Sequence, residues 1–276
     1  MPAPLTRIFS DIHFGDRASN VHQLAQLDPL LDGVHHLVLN GDTLDTRPSE
    51  DPLHTQRCRV AVAEYFARRV ARVTFVTGNH DADFSPCHHL DLAAGDVFAI
   101  HGDICFPNLV PWSRDAPIAA ARIEAGLAAL DANSREDLDR RLEVFRRVAM
   151  TLPQRHQSEH HSLRYTLRYL ADTVWPPHRF LLVMHAWRVM PRRALALRDR
   201  YRPRARFVVN GHTHQPGVWR LPEGVTVINT GSFTLPLGAF AVDLSDSSLR
   251  VRRISRRGRE FHPDAIVAEF ALAAPA

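Results

Sequence analysis

The chain has 276 residues, 45% of them apolar and 23% charged, with a formal net charge of +4. That length suits one large α/β domain or two small ones around a sizeable core, and the interspersed charge excludes wholesale disorder. All 34 basic residues are arginine, and a net charge this small does not by itself argue for nucleic acid. Three cysteines without a CxxC pairing, Cys58, Cys87 and Cys105, suit reduced thiols and a cytoplasmic location. The opening MPAPLTRIFSDIHFGD lacks the regions of a signal peptide. No run reaches the roughly 18 apolar residues that a membrane span needs.

In chain order, LTRIFSDIH reads as a short strand ending in polar residues, and SNVHQLAQLDPLLDGV has apolar residues at helical spacing. HHLVLNGDTLD reads as a second buried strand, TQRCRVAVAEYFARRV as a helix and ARVTFVTGNHD as a third strand. Strands alternating with helices imply βαβ units and a mostly parallel sheet, whose ligands collect beyond the carboxyl ends of the strands. HHLDLAAGDVFAIHGD reads as a hairpin.

Residues 111–178 change character, and a helical insertion is expected there. SREDLDRRLEVFRRVAMTL puts Leu138, Leu142, Phe145, Ala149 and Leu152 on one helix face, with Ser134 as the N-cap. SEHHSLRYTLRYLADTVW continues the pattern through Leu163, Leu167, Leu170 and Val174, and Pro176-Pro177 end it. RARFVVNGHTH then reads as a strand, and GVTVINTGSF, AFAVDLS and SLRVRRIS as antiparallel strands. The expected organisation is one domain over 1–260, including the insertion, followed by a tail over 261–276.

Five groups of candidate metal ligands follow these strands: Asp11 and His13, Asp42, Asn79 and His80, His101, and His212 and His214. The residue types have a chemical logic. Two divalent ions a few ångströms apart need an anionic bridge, which the carboxylate of Asp42 can supply. Imidazoles favour transition ions over the all-oxygen cages of Mg²⁺ or Ca²⁺. The i, i+2 spacing of Asp11/His13 and His212/His214 would put both side chains on one side of an extended segment. Gly41, Gly78, Gly102 and Gly211 permit tight turns beside a crowded centre.

The order D-x-H, G-D, G-N-H-D, H-G-D, G-H-T-H resembles the calcineurin-like metallophosphoesterases, from about residue 7 to residue 235. The resemblance implies a four-layer α/β/β/α sandwich with two metals at the carboxyl ends of the sheets. Carried over residue by residue, Asp11, His13 and His214 would bind one metal and Asn79, His101 and His212 the other, with Asp42 bridging. His185 in RFLLVMHAWRVMP competes with His101, because some relatives take this ligand from a later strand; the HGD context favours His101. The surroundings of His185 also fit a helix, with Phe180, Val183, Met184 and Trp187 on one face. His80 would act near the leaving-group oxygen, and Asp45, Asp81 and Asp103 would orient imidazoles.

The implied cofactors are two divalent transition ions, Mn²⁺ first, with Fe, Zn or Ni as alternatives. The implied activity is hydrolysis of phosphate mono- or diesters. The hairpin followed by helices also resembles the UDP-2,3-diacylglucosamine hydrolases, which cleave a lipid-linked nucleotide sugar and tend to carry Arg where this chain has His80. A non-catalytic scaffold of the same fold is a further reading. A nuclease would want a basic groove interleaved with aromatics, which the scattered arginines do not form. The expected partner is thus a phosphate-ester small molecule or lipid nucleotide and no specific nucleic acid, with room for peripheral membrane contact. His88-His89 after Cys87 read as a surface turn rather than a zinc corner. His160-His161 and the arginines of the insertion read as solvated, although Arg164 and Arg168 could hold a second phosphate.

Overall fold

The computed structural model describes residues 4–154 and 176–273. The expectations for Leu163, Leu167, Leu170 and Val174, and for His160, His161, Arg164 and Arg168, lie outside the described residues.

Eleven strands among the described residues form two sheets. The first has the order β11-β10-β9-β1-β2-β3, with β1 Leu5–Phe9, β2 Val34–Asn40, β3 Arg72–Val76, β9 Ala239–Leu244, β10 Ser248–Arg257 and β11 Glu260–Ala271. The second has the order β4-β5-β6-β8-β7, with β4 His89–Leu92, β5 Val97–Ile100, β6 Phe207–Asn210, β7 Gly217–Arg220 and β8 Thr226–Asn229. β1, β2 and β3 pair in parallel, as do β5, β6 and β8. Both sheets are therefore mixed, with antiparallel strands added at their flanks.

Period-two alternation in these strands builds the layers. In β1 and β2, Ile8 and Val38 point into a cluster shared with Val97, Ala99, Val209 and Ile228 of the second sheet. Their neighbours Phe9, Leu37 and Leu39 point the other way, onto Leu27, Val62 and Phe66. In the second sheet Phe98, Ile100, Val208 and Val227 face outward onto Ile123, Leu142, Phe145 and Ala194. One apolar layer thus lies between the sheets and one on each outer face, which gives the four-layer α/β/β/α order.

Helix α1, Pro52–Arg69, covers the first sheet; Pro52 suits its first turn and the side chain of Asp51 accepts from His54 N. Helices α2 Ala116–Ala128, α3 Ala132–Glu136, α4 Leu138–Ala149 and α5 His178–Tyr201 lie between β5 and β6 in sequence. α2, α4 and α5 pack on the second sheet. The segment expected as an insertion therefore supplies an outer layer of the sandwich. Leu138, Leu142, Phe145, Ala149 and Leu152 are all buried there, as their spacing predicts.

Several expectations need correction. Residues 261–276 are not a tail as far as they are described: β11 pairs antiparallel with β10 from Glu260 to Ala271, and Phe261 is buried against Phe233. The alternation there is obscured by register shifts opposite Val251/Arg252 and Arg252/Ile254. Residues 24–30 form a 3₁₀ helix, with Pro29 inside it unable to donate the bond an α-helix requires. Ser134 does not cap the long helix. Asp131 caps α3 by accepting from Ser134 N, and Asp137, with extended ψ, separates α3 from α4 and caps the latter. β8 pairs in parallel with β6, and its antiparallel partner is β7, a short strand behind Pro216 that sequence patterning misses.

Candidate metal centre

Each group of candidate ligands begins within three residues of a strand end: Asp11 after β1, Asp42 after β2, Asn79 after β3, His101 after β5 and His212 after β6. Asn40 joins the two sheets at this rim. Its side chain donates to Ile100 O at 3.2 Å and Val209 O at 3.1 Å, and its carbonyl accepts from His101 Nδ1 at 3.0 Å. The loops also bond to one another, with Asp11 N on Gly41 O and His13 N on Asp42 O, each at 3.0 Å.

The backbone here is not extended. Asp11, His13, Asp42, His212 and His214 have φ of 54°, 50°, 52°, 68° and 57°. Non-glycine residues avoid this left-handed region, at about 1–3 kcal/mol each, so five such residues mark a site whose shape is held by its surroundings. The i, i+2 spacing thus works through alternating turns and not through one side of a strand. Glycines make the approach: a Cβ on Gly78 would lie 2.1 Å from Asp42 Oδ1, one on Gly211 2.1 Å from Asp11 Oδ2, and one on Gly41 2.4 Å from His101 Nδ1.

Two groups of donors result. Asp11 Oδ1 is 3.1 Å from His214 Nε2 and 3.8 Å from His13 Nε2, and those two nitrogens are 3.1 Å apart. Asp42 Oδ2 is 3.2 Å from His101 Nε2, 3.9 Å from His13 Nε2 and 4.0 Å from His80 Nε2. Asp42, His101 and His212 form a second trio within metal-binding reach, and His13, Asp42 and His80 form an overlapping third. Asp42 thus stands between the two groups.

Among the buried atoms without a hydrogen bond are His101 Nε2, which faces the Asp42 carboxylate at 3.2 Å, and Asn79 Oδ1. A buried polar atom left unpaired is costly, and a cation would satisfy both. The His101 Nδ1–H donated to Asn40 O leaves Nε2 with its lone pair. Likewise His212 Nε2 faces Leu109 O at 2.9 Å, which frees Nδ1 as a ligand. The residues present therefore fit two divalent ions with mixed imidazole and oxygen ligands. His185 is exposed on α5 and joins none of the metal-binding groups among the described residues.

Charges in the cluster support one another. Burial alone would raise the pKa of Asp11, but His101, His13 and His214 outweigh it and hold the carboxyl far below its usual range. Asp42 is lowered in the same way against burial, chiefly by His101 and His80. Burial disfavours charge on His13 and His101, yet Asp11 and Asp42 raise them to about 9 and about 10. Burial and the neighbouring His101 push His212 down to about 4. A metal-free cluster therefore holds protons where a cation would sit.

The carboxylates around the ligands differ from expectation in two cases. Asp45 Oδ2 accepts from His80 Nδ1 at 2.9 Å, so it does orient an imidazole. Asp81 instead accepts from the backbone N–H groups of Asp42, Thr43 and Gly78, fixing the loop that carries Asp42. Asp103 pairs with Arg146 of α4, whose guanidinium also donates to Thr77 Oγ1 and Thr77 O at 2.9 Å each. His88 bonds Thr77 Oγ1 at 2.6 Å and His89 bonds Asp139 at 3.0 Å; neither joins a metal-binding group among the described residues. Asn40, Arg47, Arg146 and Asn229 were missed by sequence reasoning. Asn229 holds the GHTH loop through Gly211 O at 2.6 Å and Thr213 Oγ1 at 3.0 Å.

The cluster floors a cleft of about 290 Å³ lined by His13, Asp42, Asn79, His80, His212 and His214, with Arg47, Trp112, Arg114 and Arg179 on its walls.

The fold and this cleft define a two-sheet α/β protein with a histidine–carboxylate centre at the strand ends. The profile of the calcineurin-like phosphoesterase superfamily domain matches residues 5–243, and the chain belongs to that superfamily. No curated protein matches it. Among solved structures it is similar to vacuolar protein sorting 29 of Cryptosporidium parvum, at 12% identity and a TM-score of 0.44, covering 98% of this chain and 100% of that one. It is also similar to a dimetal phosphatase of Danio rerio, at 15% identity and a TM-score of 0.43, covering 100% of both chains. Vacuolar protein sorting 29 of Chaetomium thermophilum is 10% identical with a TM-score of 0.46, covering 99% of this chain and 100% of that one.

Proposed function

We propose that this chain hydrolyses phosphate mono- or diesters at a dinuclear metal centre. The observation that carries this reading is the position of Asp42 between two donor groups, with His101 Nε2 and Asn79 Oδ1 buried beside it without a hydrogen bond. Asp11, His13 and His214 would hold one ion and Asn79, His101 and His212 the other, with Asp42 shared. The imidazole-rich donor set favours Mn²⁺, with Fe, Zn or Ni as alternatives. When bound, such a pair would supply a hydroxide nucleophile at neutral pH and would neutralise charge on the phosphoryl group.

The chain's own residues do the rest. Asp42 and Asp11 stay ionised, so they can hold cations once the imidazole protons leave. His80 stands at the cleft wall with Nδ1–H fixed by Asp45 and Nε2 towards Asp42; as the imidazolium it carries its second proton on Nε2, from which it can protonate the leaving oxygen or stabilise charge developing on it. Arg114 and Arg179 on the cleft wall suit an anionic substrate.

A second reading has its own support. Phe180, Leu181, Leu182 and Met184 are exposed on α5, next to Arg179 at the cleft. An amphiphilic substrate such as a lipid-linked nucleotide sugar would match that pairing of apolar and cationic groups. Purified protein loaded with Mn²⁺ should be assayed on an aryl phosphate monoester, an aryl diester, nucleotides and a UDP-sugar lipid. Turnover of the simple esters supports the first reading. Turnover confined to the lipid substrate supports the second, and none with any substrate overturns both.

A further inference from the structure

We propose that Arg47 is a positioning residue for His80, acting through Asp45. The inference rests on the phosphoesterase reading of the cleft.

Arg47 lies two residues beyond Asp45 on the loop after β2, with its side chain only 12% exposed. Three of its donors converge on one carboxylate. Its backbone N–H and Nε donate to Asp45 Oδ1 at 3.1 and 3.0 Å, and Nη2 donates to Oδ2 at 2.6 Å. This two-pronged grip fixes the plane of the carboxylate, which a single point contact would not do. The same Oδ2 meets His80 Nδ1 at 2.9 Å.

Arg47 Nη2 is also 2.9 Å from His80 Nδ1. One ring nitrogen cannot both donate to the carboxylate and accept from the guanidinium. With Asp45 ionised and Arg47 always charged, the proton is assigned to Nδ1 and the Nη2 approach follows from sharing Oδ2. The ring is then held in one orientation with Nε2 at the cleft. The loop itself is anchored: Gln154 Nε2 donates to Asp45 O at 2.8 Å and Arg47 O at 2.7 Å, Gln154 N donates to Pro48 O at 2.8 Å, and Thr46 N donates to His80 O at 2.8 Å.

A cationic side chain on the wall of a phosphoesterase cleft has an obvious rival role, direct binding of the phosphoryl group. The geometry argues against a two-pronged grip on that group, because the Nε/Nη2 edge is already committed to Asp45.

The test combines Arg47→Ala, Arg47→Lys and His80→Ala with the Arg47→Ala/His80→Ala double variant. In the wild type, Arg47→Ala should lower kcat on an aryl phosphate with a poor leaving group by about 10–100-fold, as is typical when a group orienting a functional imidazole is lost. KM and metal content should stay near wild type. Lys should not rescue, because it cannot grip both oxygens. On the His80→Ala background, Arg47→Ala should change nothing further. An equal loss on both backgrounds, or a rise in KM with kcat intact, would overturn the inference in favour of phosphoryl binding. A readout without turnover uses the ring ¹⁵N resonances of His80 in metal-free protein. They should report a proton fixed on Nδ1 in the wild type and a mixture of tautomers in Arg47→Ala; unchanged resonances would also overturn it. If the wild type turns over no phosphate ester, the functional reading fails and the resonances alone decide the role of Arg47.

Discussion

At the residue scale a few buried side chains make the site. Asp42 is shared by both donor groups, so Asp42→Asn should lower bound metal and cut turnover by more than about 100-fold, beyond the effect of losing an outer partner. Far-ultraviolet circular dichroism should show the fold retained. His80→Ala should keep the metal yet lose about 10²–10⁴-fold in kcat, with a smaller loss on substrates whose leaving groups need no proton. Loss of metal from that variant would make His80 a ligand. His101→Ala should drop metal binding while the exposed His185→Ala leaves it unchanged, as metal analysis of both variants would show. The candidate ligands were legible because each group follows a strand-like run, and Asp42, Asn79, His101 and His212 each adjoin a glycine. Their left-handed backbone was not legible, since nothing in a spacing of two reveals a turn. Arg47 is not marked by spacing, because the carboxylate it grips meets His80 only 35 residues further on, and Arg146 is not, because Asp103 lies 43 residues away.

At the element scale, α4 is a structural layer that also reaches the site. Its Leu142 and Phe145 are buried against the second sheet, and Leu142→Ala should cost about 2–5 kcal/mol in denaturant unfolding. Arg146, 4% exposed, spans from α4 to Asp103 and Thr77, which flank His101 and Asn79 in sequence. Breaking a buried ion pair from one side strands a charge, so Arg146→Leu should destabilise by about 3–5 kcal/mol. The double variant Arg146→Leu/Asp103→Leu should recover part of that loss; no recovery would mean the pair is not the source. Sequence periodicity exposed the apolar face of α4 correctly. It did not reveal that this face belongs to the sandwich, because the partner strands are β5, β6 and β8, far apart in sequence. The end of the chain was misjudged for a related reason: β11 pairs through irregular register, which hides the alternation that marks a strand.

At the scale of the whole molecule, two sheets deliver their strand ends to one rim, where Asn40 ties them and the donor groups meet. The cluster is charged before any cation arrives. Carboxylates raise His13 and His101 to about 9 and about 10, so their contribution to the stability of the metal-free fold is fully present below the unfolded imidazole value, near pH 6.5, and is lost as pH rises through 9 to 10. A cation must displace those protons, so metal affinity should rise with pH across the neutral range, and loading should release about two protons per chain in weakly buffered solution. The most direct test of the central claim is a titration of Mn²⁺ into metal-stripped protein, with bound metal and aryl phosphate turnover read together. Two ions should bind per chain, with turnover appearing only as the second is bound. Saturation at one ion with full activity, or full activity without metal, would contradict it.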